Sequence, residues 1–152
     1  MVTVKNILAR KGSGIVSVGP DASVLEALVK MSEKNIGAIL VKNDTGKIVG
    51  IFSERDFARK IIIKGRSCEA TKVMEIMTPE PLCIEPSTSL QDCMKVMTAR
   101  KFRHLPVREG DSVVGVISIG DVVKALIEEQ GQIISEQAFA IGQMERTEPG
   151  AV

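Results

Sequence analysis

No stretch of this chain approaches the roughly 20 consecutive apolar residues that a membrane-spanning helix requires, so the sequence predicts no membrane segment. The opening Met1-Val2-Thr3-Val4-Lys5 lacks the continuous apolar run of a secretory leader, and export is not expected. Cysteine is scarce: Cys68, Cys83 and Cys93 are odd in number and have no C-x-x-C spacing. That argues against a disulfide framework and a zinc site, and it fits the reduced thiols of a cytoplasmic protein. His104 is the one histidine and has no second ligand at suitable spacing, so no metal is expected. The formal net charge is only +1, with basic residues scattered among acidic ones, which leaves no field to attract nucleic acid or an anionic membrane. Catalytic signatures are missing as well. There is no G-x-x-x-x-G-K-[ST] loop, Gly12-Ser13-Gly14 lacks the third glycine of a dinucleotide fingerprint, and no nucleophile stands beside a base, so the chain does not read as an enzyme.

What the chain does contain is its own copy. The segment Ile15 to Ile62 repeats as Pro81 to Ile127: Pro20 falls on Pro86, Ser23 on Ser89, Met31 on Met97 and Val41 on Val107. After one residue is dropped in a turn, Gly50 falls on Gly115, Ser53 on Ser118 and Asp56 on Asp121. With 152 residues, 44% hydrophobic and 26% charged, the two halves together can bury a sizeable core.

Periodicity assigns both copies the same element order. Short apolar runs at Ile15–Val18 and Leu82–Ile84 predict strands that stop at Pro20 and Pro86. Ser23-Val24-Leu25-Glu26 is a capping-box pattern opening a helix whose core face is expected to be Leu25, Leu28, Val29 and Ser32, with Leu90, Met94 and Met97 as counterparts. Ala38–Val41 and Ile48–Phe52, joined by a turn at Asn43–Gly46, predict a hairpin, as do Leu105–Val107 and Val113–Ile117. Amphipathic helices from Asp56 to Ile63 and from Asp121 to Glu128 close the copies. The fold class is α+β, two tandem β-α-β-β-α repeats. Their expected division is 1–70 with an N-terminal segment, 71–130 with a linker holding a short helical Val73–Met77, and a polar tail at 131–152. In that tail, 133–141 adds a marginal helix and 145–152 frays.

Gly50-Ile51-Phe52-Ser53-Glu54-Arg55-Asp56 and Gly115-Val116-Ile117-Ser118-Ile119-Gly120-Asp121 resemble the signature of the CBS-domain family, in which Gly, Ser or Thr, and Asp stand at the junction of the last strand and last helix. Arg103-His104-Leu105-Pro106-Val107 and Val73–Pro79 are similar to stretches of its stand-alone prokaryotic members. The resemblance implies a Bateman module: two repeats packed through their sheets about a pseudo-twofold axis, with two clefts for adenosine-containing ligands and homodimers of such modules. It implies AMP first, then ADP, ATP, NAD(H) or S-adenosylmethionine, with energy or redox state signalled to a regulated partner on another chain. The alternative is a structural dimerisation module without ligand.

Elementary chemistry gives the signature a task. A serine at a helix start offers a hydroxyl and backbone N–H groups to phosphate, and an aspartate three residues on can accept from ribose hydroxyls. Taken singly, Ser53 with Asp56, or Ser118 with Asp121, reads first as a helix cap; the duplication favours the site. Arg55 has Gly120 as its counterpart, and Arg103-His104 answers Gly37-Ala38. The cleft of Ser53, Arg55 and Asp56, joined by Arg103 and His104, is therefore expected to hold the phosphate, with a weaker cleft at Ser118 and Asp121. The resemblance also implies that Val18, Cys83, Ile84, Leu105 and Pro106 line the clefts. Phe57 and Ile61 are expected to need cover from a second copy.

Overall fold

The computed structural model describes residues 2–12 and 14–144, with side chains described as far as Gly131. The first repeat comprises β1 (Ser17–Val18), α2 (Val24–Lys34), β2 (Ala38–Lys42), β3 (Ile48–Ser53) and α3 (Glu54–Asp56), which runs on as a π-helix over Phe57–Ile62. The second comprises α5 (Leu90–Arg100), β5 (His104–Glu109), β6 (Ser112–Ser118) and α6 (Ile119–Met144). Ahead of the two repeats stand α1 (Val4–Lys11) and α4 (Val73–Ile76), the latter followed by β4 (Thr78–Pro79). The sheets run β1-β2-β3-β4 and β5-β6.

Both hairpins pair antiparallel in matching registers, Val41 with Gly50 and Val107 with Gly115. β1 lies parallel to β2, but the strand expected over Leu82–Ile84 shrinks to one parallel bridge between Ile84 and Val107. Pro81 and Pro86 flank that segment and have no N–H to extend the ladder.

Strand β2 is buried on both faces, which explains its unbroken apolar run. Ile39 and Val41 join Val24, Ala27, Met31 and Phe52 in the first core, whereas Ala38 and Leu40 point the other way. There they meet Ile51, Val113 and Val116, so the two repeats pack sheet against sheet. The second core gathers Leu90, Cys93, Met97, Leu105, Val107, Ile117 and Val122. Each such buried Leu or Ile stabilises the fold by about 1.5–3 kcal/mol. Cys93 behaves as a small apolar residue there, and burial, helped by Asp92, pushes its thiol up to about 11.

The core face of α2 sits one position away from the expected stripe. Val24, Ala27 and Met31 are buried, while Leu25, Val29 and Ser32 are exposed. In α5 Leu90 and Met97 are buried as expected, joined by Cys93, while Met94 is only partly buried. Serine caps fix the helix starts, since Ser23 Oγ accepts from Glu26 N–H at 3.0 Å and Ser89 Oγ from Asp92 N–H at 3.1 Å. Phe57 and Ile61 find cover within the chain, in the first core. Among the described residues, the most exposed apolar side chains at the closing helices are instead Ile62, Ile63 and Ile127, at 62%, 74% and 63%. α6 reaches Met144 and so absorbs 133–141 as its continuation; 145–152 lie outside the described residues.

The segments ahead of the repeats change places. Val4 and Ile7 of α1 insert into the second core, with Val4 N–H donating to Thr88 O at 3.0 Å and Thr3 bridging Ser89. Val73 and Ile76 of α4 insert into the first core, with Val24 N–H donating to Thr71 O at 2.9 Å and Lys72 bridging Ser23. The packing thus crosses the expected division at both ends. The signature glycines admit the visitors. At Gly50 a Cβ would stand 2.9 Å from Met77 Cγ and 3.0 Å from Thr78 O, and at Gly115 it would stand 2.7 Å from Leu8 Cδ2.

Candidate functional site

The turn from β3 into α3 is a closed capping box. Ser53 Oγ accepts from Asp56 N–H at 3.3 Å, while Ser53 N–H and its hydroxyl donate to Asp56 Oδ2 at 3.0 and 3.2 Å. Asp56 Oδ1 takes the Lys60 ammonium at 3.0 Å, and Glu54 N–H donates to Gly37 O at 3.1 Å, pinning the turn to the start of β2. The second turn repeats this: Ser118 N–H donates to Asp121 Oδ2 at 2.8 Å, Asp121 N–H to Ser118 Oγ at 3.1 Å, and Ile119 N–H to Arg103 O at 2.8 Å. Both pairs therefore do serve as helix caps.

What distinguishes the first turn is that all of it, from Ser53 to Asp56, borders one open space, which the second turn meets only through Ser118 and Ile119. An open cavity of about 1220 Å³ is walled by Ser53, Glu54, Arg55 and Asp56 from the first repeat and by Arg103, His104 and Ser118 from the second. Gly37 lets these walls approach, since a Cβ there would lie 3.1 Å from Glu54 Oε1 and 3.2 Å from His104 Nε2. The Arg55 guanidinium donates to Lys101 O at 2.7 Å, tying the first signature to the left-handed C-cap of α5. Burial, then the Lys11 charge, holds the His104 imidazole below its ordinary value and so neutral at pH 7, although Glu54 and Asp121 pull it upward. Chemically, the cavity offers a hydroxyl, a carboxylate, a neutral imidazole and several cations to one small polar ligand.

Asp121 stands apart from this cavity. Its Oδ2 is held by the Lys11 ammonium at 2.7 Å, and Lys11 also donates to Val116 O at 3.0 Å. Burial pushes the Asp121 carboxyl up, but the hydrogen bonds from Lys11 and Ser118 and the Lys11 charge outweigh it and hold the carboxyl below its usual value. The expected second cleft is thus filled at its acidic corner by α1. In the first repeat the corresponding stretch after α4 leaves the helix and forms β4 along Gly50 and Ile51.

The remaining expected residues separate. Val18 lines a different surface hollow, of about 510 Å³, between β1 and α2, where Lys30 donates to Ser17 O at 2.7 Å. Ile84 and Leu105 point into the second core, and Pro106 is buried on the opposite face of β5, its O accepting from Ile84 N–H at 2.9 Å. Cys83 is half-buried, with its thiol 3.4 Å from Pro81 O; its neighbours Pro81 and Leu82 reach the cavity and it does not. Alternation along β5 explains Leu105, which faces the core because its neighbour His104 faces the cavity; Pro106 lies on the side of His104 and is buried there. Sequence reasoning missed Glu54, Arg59, Lys60, Arg100 and Lys101 on the cavity wall. The signal was present: Arg59 lies four residues beyond Arg55, and Arg100-Lys101 closes the helix just before Arg103. Among the described residues no group of His, Cys, Asp and Glu could hold a metal ion, and no helix is long and apolar enough to cross a membrane.

Two tandem repeats, each with a capped Gly–Ser–Asp junction, define a class, and the sequence profile of the CBS domain matches residues 2–63 and 73–128. The chain belongs to the CBS-domain family, as a tandem pair. It is similar to a CBS-domain protein of known structure from Burkholderia ambifaria, with 45% identity, a TM-score of 0.80, and coverage of 85% of this chain and 96% of that one. It is 40% identical over 113 residues to the mitochondrial CBS domain-containing protein CBSX3 of Arabidopsis thaliana, covering 72% of this chain; the chain spans 55% of that relative's length. The structure of CBSX2 in complex with AMP matches at 29% identity with a TM-score of 0.66, covering 86% of this chain and 99% of that one.

Proposed function

We propose that this chain is a regulatory module that binds an adenosine nucleotide in the cavity between its repeats and reports occupancy to a partner protein. The observation that carries this reading is the meeting, around one cavity, of the Ser53–Asp56 capping box with Arg103 and His104. The start of α3 supplies partial positive charge and the Arg55 N–H for a phosphate, the N–H groups of Ser53, Glu54 and Asp56 being bonded within the chain, and Asp56 keeps acceptor capacity on its carboxylate for ribose hydroxyls. Arg103 brings a guanidinium to the same phosphate from the other repeat. The AMP complex of CBSX2, a relative of the same fold, supports the choice of ligand.

Signalling would use the geometry of the cavity. A ligand that grips both walls favours the arrangement in which they stand together, and any surface sensitive to that arrangement can be read by a partner. The exposed Ile62, Ile63 and Ile127 on the closing helices are our candidate surface for a homodimer, in place of Phe57 and Ile61. Binding is tested by thermal shift with AMP, ADP, ATP, NAD(H) and S-adenosylmethionine. A ligand at 100 times its dissociation constant adds about 2.7 kcal/mol of apparent stability. No shift with any of these ligands would refute the reading.

A further inference from the structure

We infer that the cavity is built for a nucleotide carrying a polyphosphate chain, a nucleoside triphosphate in preference to a monophosphate; this rests on the nucleotide reading above. The cavity wall carries six cationic side chains against the acidic Glu54 and Asp56, in a chain whose net charge is only +1. Two of the six are engaged internally: Lys60 holds Asp56 Oδ1 at 3.0 Å and Ile76 O at 3.0 Å, and Arg55 holds Lys101 O at 2.7 Å. The other four, Arg59, Arg100, Lys101 and Arg103, make no side-chain hydrogen bond or ion pair among the described residues. They come from three separate elements, the π-helix, the end of α5 and the approach to β5.

Like charges gathered from three elements around one concavity repel one another, and the walls of the cavity focus their field. A monophosphate brings at most about two negative charges at neutral pH, and the Ser53 turn with Arg103 already provides for it. That leaves Arg59, Arg100 and Lys101 without a task, whereas a triphosphate, with about twice the charge, meets all four. Size agrees. A cavity of about 1220 Å³ exceeds the roughly 300–1,000 Å³ usual for small-ligand sites, so a phosphate chain can extend from the Ser53 turn toward the end of α5. A single nucleotide is favoured over a nucleic-acid strand because the cations line a cavity and not an extended face.

The test is calorimetric titration of the whole chain at physiological salt, with a chelator present, using ATP, AMP, adenosine and inorganic tripolyphosphate. The expected result is that ATP binds at least about tenfold more tightly than AMP, and that Arg59→Ala with Arg100→Ala brings ATP down toward AMP. Both side chains are exposed, so the variant is expected to fold, as circular dichroism will verify. AMP binding as tightly as ATP, or an ATP-to-AMP ratio unmoved in the double variant, overturns the inference. Binding of tripolyphosphate with no binding of any adenosine ligand would uphold the polyphosphate site and refute the nucleotide reading. Silence from every probe would refute both.

Discussion

Gly50→Ala tests how the two halves are locked together. The new methyl would stand 2.9 Å from Met77 Cγ and 3.0 Å from Thr78 O, with the Met77 sulfur closer still. The methionine side chain can swing away, but Thr78 O belongs to β4, which is paired to β3 at this residue and cannot retreat without breaking the pairing. Overpacking of this kind costs about 1–3 kcal/mol, whereas replacing a strand glycine by alanine returns at most about 1 kcal/mol. The net is destabilising, and for a chain of this size each kcal/mol lowers Tm by about 2–4 °C. Gly115→Ala is the internal control. Its new methyl meets only Leu8, 2.7 Å away at the far end of a flexible side chain, so its cost is expected to be smaller. Urea and thermal denaturation of both variants measure the difference, and trimming the obstruction with Met77→Ala should show coupling of about 0.5–3 kcal/mol with Gly50→Ala. A Gly50→Ala protein as stable as the parent, or less affected than Gly115→Ala, would refute the packing argument.

Lys11→Met keeps the apolar stem and removes the ammonium from Asp121, at a cost of about 0.5–1 kcal/mol for a partly exposed pair. Because the folded Asp121 carboxyl lies below its ordinary 3.8, the parent's advantage is present at pH 7 and is lost as pH falls through the folded value; denaturation at pH 7 and near pH 3 reads it, and a gap unchanged by acid would contradict the pairing. Arg103→Ala is expected to weaken AMP more than adenosine, with the difference shrinking in added salt; equal losses in calorimetry would remove Arg103 from the phosphate. Ile63→Glu with Ile127→Glu is expected to give a monomeric mass in light scattering where the parent gives a dimer, and a parent already monomeric at micromolar concentration would dispose of the dimer.

The repeat made much of this legible. Two copies of one element order, each ending in a Gly–Ser–Asp junction, led to the hairpins and the caps, because those depend on local pattern. The exchange of α1 and α4 was not legible: Val4, Ile7 and Leu8 carry helical spacing, but nothing local says which core they enter. The fate of Asp121 followed from the same gap, since its partner lies 110 residues away in sequence. Strand residues flanking the signature were assigned to the cavity without regard to alternation, which is why Leu105 proves to point into the core while its neighbour His104 reaches the cavity. The cations at Arg59 and Arg100 drew no assignment from the sequence, because only folding sets them around one space.

The central claim is that Asp56 and the Ser53 turn line the nucleotide cavity while Asp121, held by Lys11 of α1, stands outside it. Calorimetry with the tightest adenosine ligand, on the parent, Asp56→Ala and Asp121→Ala, tests it most directly. Loss of a charged hydrogen bond to ribose should cost Asp56→Ala about 1.5–3 kcal/mol of affinity, with Asp121→Ala close to the parent. Equal losses at both positions, or no loss at Asp56, would contradict the account.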